Sequence, residues 1–137
     1  MNMKEEIKLF MKKLREMPDF NRVKFVILFG SRAENRAKKN SDYDFAIYYE
    51  GNDKEKFKFQ IAMSENEKYD VKIFQDLPMF IQKEILRGEI IYAKNLGFVY
   101  DVAYKIIKRF EEFKRDYYPY IYYEEIKWLF EEKWRAR

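Results

Sequence analysis

The sequence predicts an α/β domain, a sheet with helices packed on it, and three features carry that prediction. Val23 to Phe29 is a continuous apolar run of strand length, as in a buried strand. Tyr43 to Tyr49 and Tyr69 to Phe74 are two further runs of that kind. Ahead of them, Ile7, Phe10, Met11, Leu14 and Met17 recur at helical spacing, and so do Val99, Val102, Ala103, Ile106, Phe110 and Phe113 behind them.

Taken in order, the first helix covers roughly residues 3–17 and stops at Pro18. The first strand ends at Gly30-Ser31, and residues 32–40 (RAENRAKKN) are polar, with at most a short helical turn. The second strand ends at Glu50-Gly51-Asn52. Asp53 is placed to cap a helix over about residues 54–66, although its apolar pattern is poor. After the third strand, Asp76 is read as the cap of another helix with Pro78 in its first turn. Leu77, Ile81 and Ile85 lie along one face of that helix, and Gly88 closes it. Ile90 to Tyr92 reads as a short strand. A final helix carries Ile126, Leu129, Phe130 and Trp134. No internal repeat, linker or low-complexity block divides the chain, so residues 1–137 are read as a single domain with a helical segment over 96–137.

Composition narrows the chemistry. The chain is 38% charged yet 20% aromatic, unlike disordered sequences. No apolar run approaches the roughly 18 residues of a membrane span. The charge-interrupted start MNMKEEIKLFMKKL is an amphipathic helix, not a secretory segment. The expected location is therefore cytoplasmic, with no membrane partner. Cysteine and histidine are both absent, which removes disulfides, thiolate or imidazole metal sites and His-activated nucleophiles. Carboxylates remain as the strong side-chain metal ligands, and they suit magnesium or manganese. A formal charge of +4 favours an anionic partner without choosing among nucleotide, RNA and acidic protein.

The candidate site lies around Gly30-Ser31, followed after ten residues by Asp42-Tyr43-Asp44, with Asp70 in the next apolar run. Gly30 lets backbone approach a phosphate, and the Ser31 hydroxyl and nearby N–H groups can donate to its oxygens. Some of Arg32, Arg36, Lys38 and Lys39 can neutralise a triphosphate, the rest being ordinary solvated charges, and Ser41 offers a second hydroxyl. Alternate residues on a strand share a face, so Asp42 and Asp44 are expected to project together, about 6.6 Å apart along the backbone. A third strand lying beside the second would bring Asp70 to them. Three carboxylates so close repel one another unless a cation is present, so the cluster makes sense as a metal cradle.

The segment FGSRAENRAKKNSDYDFAIYY resembles the nucleotidyltransferase superfamily signature, G-S-x10-D-x-D with a later acidic residue. In size, and in the passages YDVKIFQDLP and EILRGEIIYAK, the chain resembles the minimal nucleotidyltransferase (MNT) group, the antitoxins of HEPN–MNT pairs. The resemblance implies a small polymerase-β-like mixed sheet flanked by helices, with C-terminal helices. It implies that Gly30 and Ser31, with Arg32 and Ser41 beside them, bind the triphosphate. Asp42, Asp44 and Asp70 are then the metal-binding and catalytic carboxylates. The implied cofactor is Mg2+ or Mn2+, with ATP as substrate. The implied activity is transfer of AMP onto a tyrosine hydroxyl of a HEPN ribonuclease toxin, silencing it. Arg32 and Ala33-Glu34-Asn35 depart from the family's usual run after Gly-Ser.

Only about forty residues follow Lys94, which suits a macromolecular acceptor better than an antibiotic held by a second domain. The tyrosines of DYYPYIYY (Tyr117, Tyr118, Tyr120, Tyr122 and Tyr123) form a candidate docking segment, or else pack between the last helices around Pro119. Direct nucleic-acid binding is not expected. Two other readings stay open: an antitoxin that blocks its toxin by contact alone, and a small-molecule nucleotidyltransferase.

Overall fold

The computed structural model describes residues 2–30, 33, 42–64 and 69–117. Their elements run α1 (Met3–Arg15), β1 (Val23–Phe29), β2 (Tyr43–Tyr49), α2 (Lys54–Ser64), β3 (Tyr69–Ile73), α3 (Met79–Ile85), β4 (Glu89–Ala93) and α4 (Leu96–Tyr117). The strands form one mixed sheet in the order β3-β2-β1-β4. β1 pairs antiparallel with β2 and with β4, whereas β2 and β3 are parallel. The parallel pair needs a crossover, and α2 provides it.

The continuous apolar character of β1 follows from its place. It is flanked by strands on both edges and covered by helices on both faces. On one face Val26, Leu28, Phe45 and Ile47 pack with Phe10, Met11 and Leu14 of α1 and with Phe57 and Ile61 of α2. On the other, Phe25, Ile27, Phe29 and Ala46 pack with Phe80, Ile81 and Ile85 of α3 and with Val99, Ile106 and Phe110 of α4. The result is the helix–sheet–helix sandwich expected from the sequence. Among the described residues no helix is long and apolar enough to cross a membrane.

α2 shows why a weak amphipathic pattern still forms a helix. Asp53 caps it as expected, its Oδ1 accepting from the Lys56 N–H at 2.9 Å. Two anchors one turn apart, Phe57 and Ile61, are buried, while Phe59 stays 65% exposed. Tertiary contact at two positions is enough. Past Ile73 the Gln75 side chain extends the ladder: its Oε1 accepts from the Tyr49 N–H at 3.2 Å and its Nε2 donates to the Tyr49 carbonyl.

Two local expectations are corrected. Asp76 does not cap α3, whose N-cap residue is Pro78 with no side-chain cap. Asp76 lies instead in a 3-10 turn and accepts from Lys54 Nζ at 2.5 Å, so a charged partner outcompetes the cap. Gly88 follows α3, but a left-handed backbone is not its reason for being glycine. A Cβ there would stand 2.3 Å from the Leu28 carbonyl oxygen of β1. Gly88→Ala is therefore expected to cost about 1–3 kcal/mol through backbone displacement, read as a lowered thermal midpoint. The last predicted helix and the tyrosine cluster 118–123 lie outside the described residues.

Candidate active site

The sheet register assembles the site. Asp44 is the second residue of β2 and Asp70 the second of β3, and the two are direct partners across the parallel pair. On the other side Asp44 is paired with Phe29, the last residue of β1. Gly30 follows Phe29 at once, with φ 76°, a left-handed conformation that a side chain would strain. One row across the sheet thus brings together Asp70, Asp44 and the start of the glycine turn. The sequence left open whether strand three lies beside strand two; in the structure it does.

Side-chain alternation sets the direction. Tyr43 and Phe45 belong to the α1/α2 cluster and Ala46 to the α3/α4 cluster. Asp44 shares the face of Ala46 by strand alternation, and so opens toward the α3/α4 side. The two partners differ in depth: Asp44 is 1% exposed, whereas the Asp70 side chain is 37% exposed. A carboxylate as deep as Asp44 is stable only with donors or a cation beside it. Asp42 stands just ahead of β2 and is exposed. Among the described residues no group of three or more acidic side chains is gathered to hold a metal ion. Asp44 and Asp70 form a two-carboxylate row, and Asp42 stands at its approach. Ser31, Arg32 and Ser41, like Arg36, Lys38 and Lys39, lie outside the described residues.

The row is braced from behind. Phe10 of α1 stacks on Phe45 with ring centres 3.9 Å apart, and the Tyr69 ring lies 5.3 Å from Phe10 and 5.8 Å from Phe45. The Tyr69 hydroxyl donates to Glu6 Oε2 at 2.7 Å, tying the first residue of β3 to α1. Glu6 and Tyr69 are 63 residues apart, and no local sequence signal marks the pair. On the working face, Lys72 Nζ lies 3.6 Å from Asp70 Oδ1. Sequence reasoning passed over this lysine, although its place two residues beyond Asp70 on a strand was a usable signal.

The donor set fits a hard divalent cation: oxygen ligands only, two of them adjacent, and open water on the Asp70 side. Magnesium commonly takes one or two carboxylates and completes its shell with water and substrate phosphates, so a closed protein cage is not required.

Comparison with known proteins bears on the same segment. Residues 7–96 match the family described as "Polymerase beta, Nucleotidyltransferase". A protein of Methanocaldococcus jannaschii, provisionally named a protein adenylyltransferase, is 35% identical over 72 residues. That match spans 52% of this chain and 57% of the relative. A toxin–antitoxin crystal structure with AMP-PNP superposes with a TM-score of 0.63 at 15% identity, covering 80% of this chain and 90% of that one. The MntA–HepT toxin–antitoxin gives 0.63 at 14% identity, over 83% and 92% of the two chains. The complex of tri-AMPylated Shewanella oneidensis HEPN toxin with its MNT antitoxin gives 0.62 at 13% identity, over the same 83% and 92%. At these identities the likeness is one of fold.

Proposed function

The chain belongs to the polymerase beta nucleotidyltransferase family, and from that premise we propose that it is an antitoxin that moves AMP from ATP onto a tyrosine hydroxyl of a HEPN-type ribonuclease toxin. The observation that carries this reading is the in-register pair Asp44–Asp70 set beside the Gly30 turn. Its relatives, a protein named as an adenylyltransferase and an MNT antitoxin in complex with a HEPN toxin, support the acceptor.

In this reading Gly30, Ser31, Arg32 and Ser41 receive the triphosphate. Asp42, Asp44 and Asp70 would hold Mg2+ or Mn2+, which would neutralise the phosphates and polarise the α-phosphorus. Asp70, the more accessible of the row, takes the proton of the incoming hydroxyl. The tyrosine oxygen then forms its bond to the α-phosphorus as the α–β anhydride breaks and pyrophosphate leaves. The protein contributes alignment and a fixed electrostatic setting. Residues 1–137 act as one nucleotidyltransferase domain, working in the cytoplasm where ATP and the toxin are present.

We assign docking of the toxin to 96–137. What supports this is a stripe on α4 at helical spacing: Leu96 (46% exposed), Tyr100 (61%), Tyr104 (66%) and Ile107 (47%). The Tyr100→Glu, Tyr104→Glu double variant is expected to weaken toxin binding at least about tenfold, while the thermal midpoint stays near that of the parent. Calorimetric titration and a melt check both.

The deciding experiment incubates the chain with α-labelled ATP, magnesium and the protein encoded beside it. Label is expected on that protein, and is lost with Asp42→Asn and Asp44→Asn. Neutralisation that survives both substitutions would instead make the chain a contact antitoxin.

A further inference from the structure

Lys72 sits half-buried on the working face of β3. It pairs in register with Ala46, one alternation beyond the Asp44–Asp70 pair, and β3 is an edge strand. A lysine on an edge strand guards against strand addition, but any outward position would serve that purpose. This one turns its ammonium back along the strand to Asp70 Oδ1. The separation of 3.6 Å, with the two side chains 31% and 37% exposed, describes a loose, solvated pair. Such pairs hold little free energy, typically about 0–1 kcal/mol, and exchange partners readily.

Resting on the nucleotidyl-transfer reading above, we propose that Lys72 is a resident counter-ion for Asp70. It occupies the cation's place while the site is empty of nucleotide, is displaced from Asp70 when the divalent ion arrives with its triphosphate, and then carries its charge to the phosphate oxygens. The geometry allows this exchange. The ammonium hangs on a flexible four-carbon stem, so it can leave the carboxylate and stay within the site. The Lys72 side chain is 31% exposed, so its outer end reaches solvent beside Asp70. The charge count also balances. Asp70 exchanges one positive neighbour for another, and the freed ammonium meets the negative charge that grows on the pyrophosphate as the anhydride breaks.

The proposal makes two readouts move in opposite directions, which a purely structural lysine would not do. In the full chain without nucleotide, Lys72→Met should bind Mn2+ about three- to tenfold more tightly than the parent, since a competing cation has been removed. Electron paramagnetic resonance of free Mn2+ measures this. In labelled-ATP transfer to the partner, the same variant should lose about a hundredfold in kcat with KM for ATP little changed. Lys72→Arg, which keeps the charge, should restore both values to near parental. Equal Mn2+ affinity in parent and Lys72→Met overturns the proposal, as does a failure of either to bind Mn2+ or a kcat unchanged by the substitution. A parent that labels its partner yet binds Mn2+ as tightly as Lys72→Met removes this inference and leaves the proposed function standing. A parent whose Mn2+ binding is tightened by Lys72→Met but that labels nothing removes the proposed function instead.

Discussion

Asp44→Asn is expected to lower AMP transfer by about a thousandfold or more while leaving the fold intact. Asp44 is the only acidic side chain of the row that is fully buried, and it lies between β3 and the end of β1, with Asp70 on one side and Phe29 on the other. Asparagine matches its shape and keeps one acceptor oxygen but removes the negative charge, which is what a hard cation requires. At 1% exposure Asp44 has little solvent beside it to stand in for a lost ligand. Asp42 is exposed ahead of β2, where solvent can fill in for a lost ligand, so Asp42→Asn should cost less. The ordering Asp44 before Asp42 is the sharper part of the prediction. Single-turnover transfer of labelled AMP measures it, with a thermal melt to show that each variant is folded. A midpoint for Asp44→Asn more than about 5 °C below the parent would mean that the loss reports unfolding rather than chemistry.

The same comparison of buried and exposed residues explains how much the sequence could reveal. β1 and β2 run over the spans that their apolar residues predict, Val23–Phe29 and Tyr43–Tyr49, because central strands must be apolar on both faces. The Gly30 turn is legible for a similar reason: glycine is the residue that accepts φ 76° without strain. Register is different. The pattern marks Tyr69 to Phe74 as a strand, which the structure ends at Ile73, but nothing in it states that Asp70 lies opposite Asp44 rather than one place along. The Glu6–Tyr69 bond and the Gln75 clasp on Tyr49 join residues 63 and 26 positions apart, and such pairs leave no local trace. Asp76 was misread because Asp-Leu-Pro is a sound helix-start signal, overridden by a lysine that only the fold brings near. Gly88 was read as a helix stop when its constraint comes from the Leu28 carbonyl of a strand that precedes it by sixty residues. Local signals predicted elements; contacts between elements fixed the site.

Phe45→Ala should give the largest stability loss of any single substitution near the site. Phe45 has no exposed surface and stacks face to face on Phe10 at 3.9 Å, with Tyr69 at 5.8 Å and Tyr43 at 6.3 Å. Removing the ring removes the Phe10 stack of α1 on the sheet and leaves a cavity that three other aromatic rings border. Large-to-small changes of this type cost about 3–5 kcal/mol, against a total of roughly 5–15 kcal/mol for a domain. For a chain of this length that corresponds to a fall of about 10–20 °C in thermal midpoint. Phe45→Leu, which keeps most of the volume, should lose about a third of that. The cavity also lies directly behind Asp44, on the opposite face of the same strand, and behind Tyr69, whose bond to Glu6 anchors β3. Transfer by Phe45→Ala should therefore fall even at temperatures where circular dichroism shows the chain folded, as the Asp44–Asp70 row loosens. Transfer per folded molecule equal to the parent would show instead that β2 and β3 hold their register through backbone pairing alone, without the aromatic brace behind them.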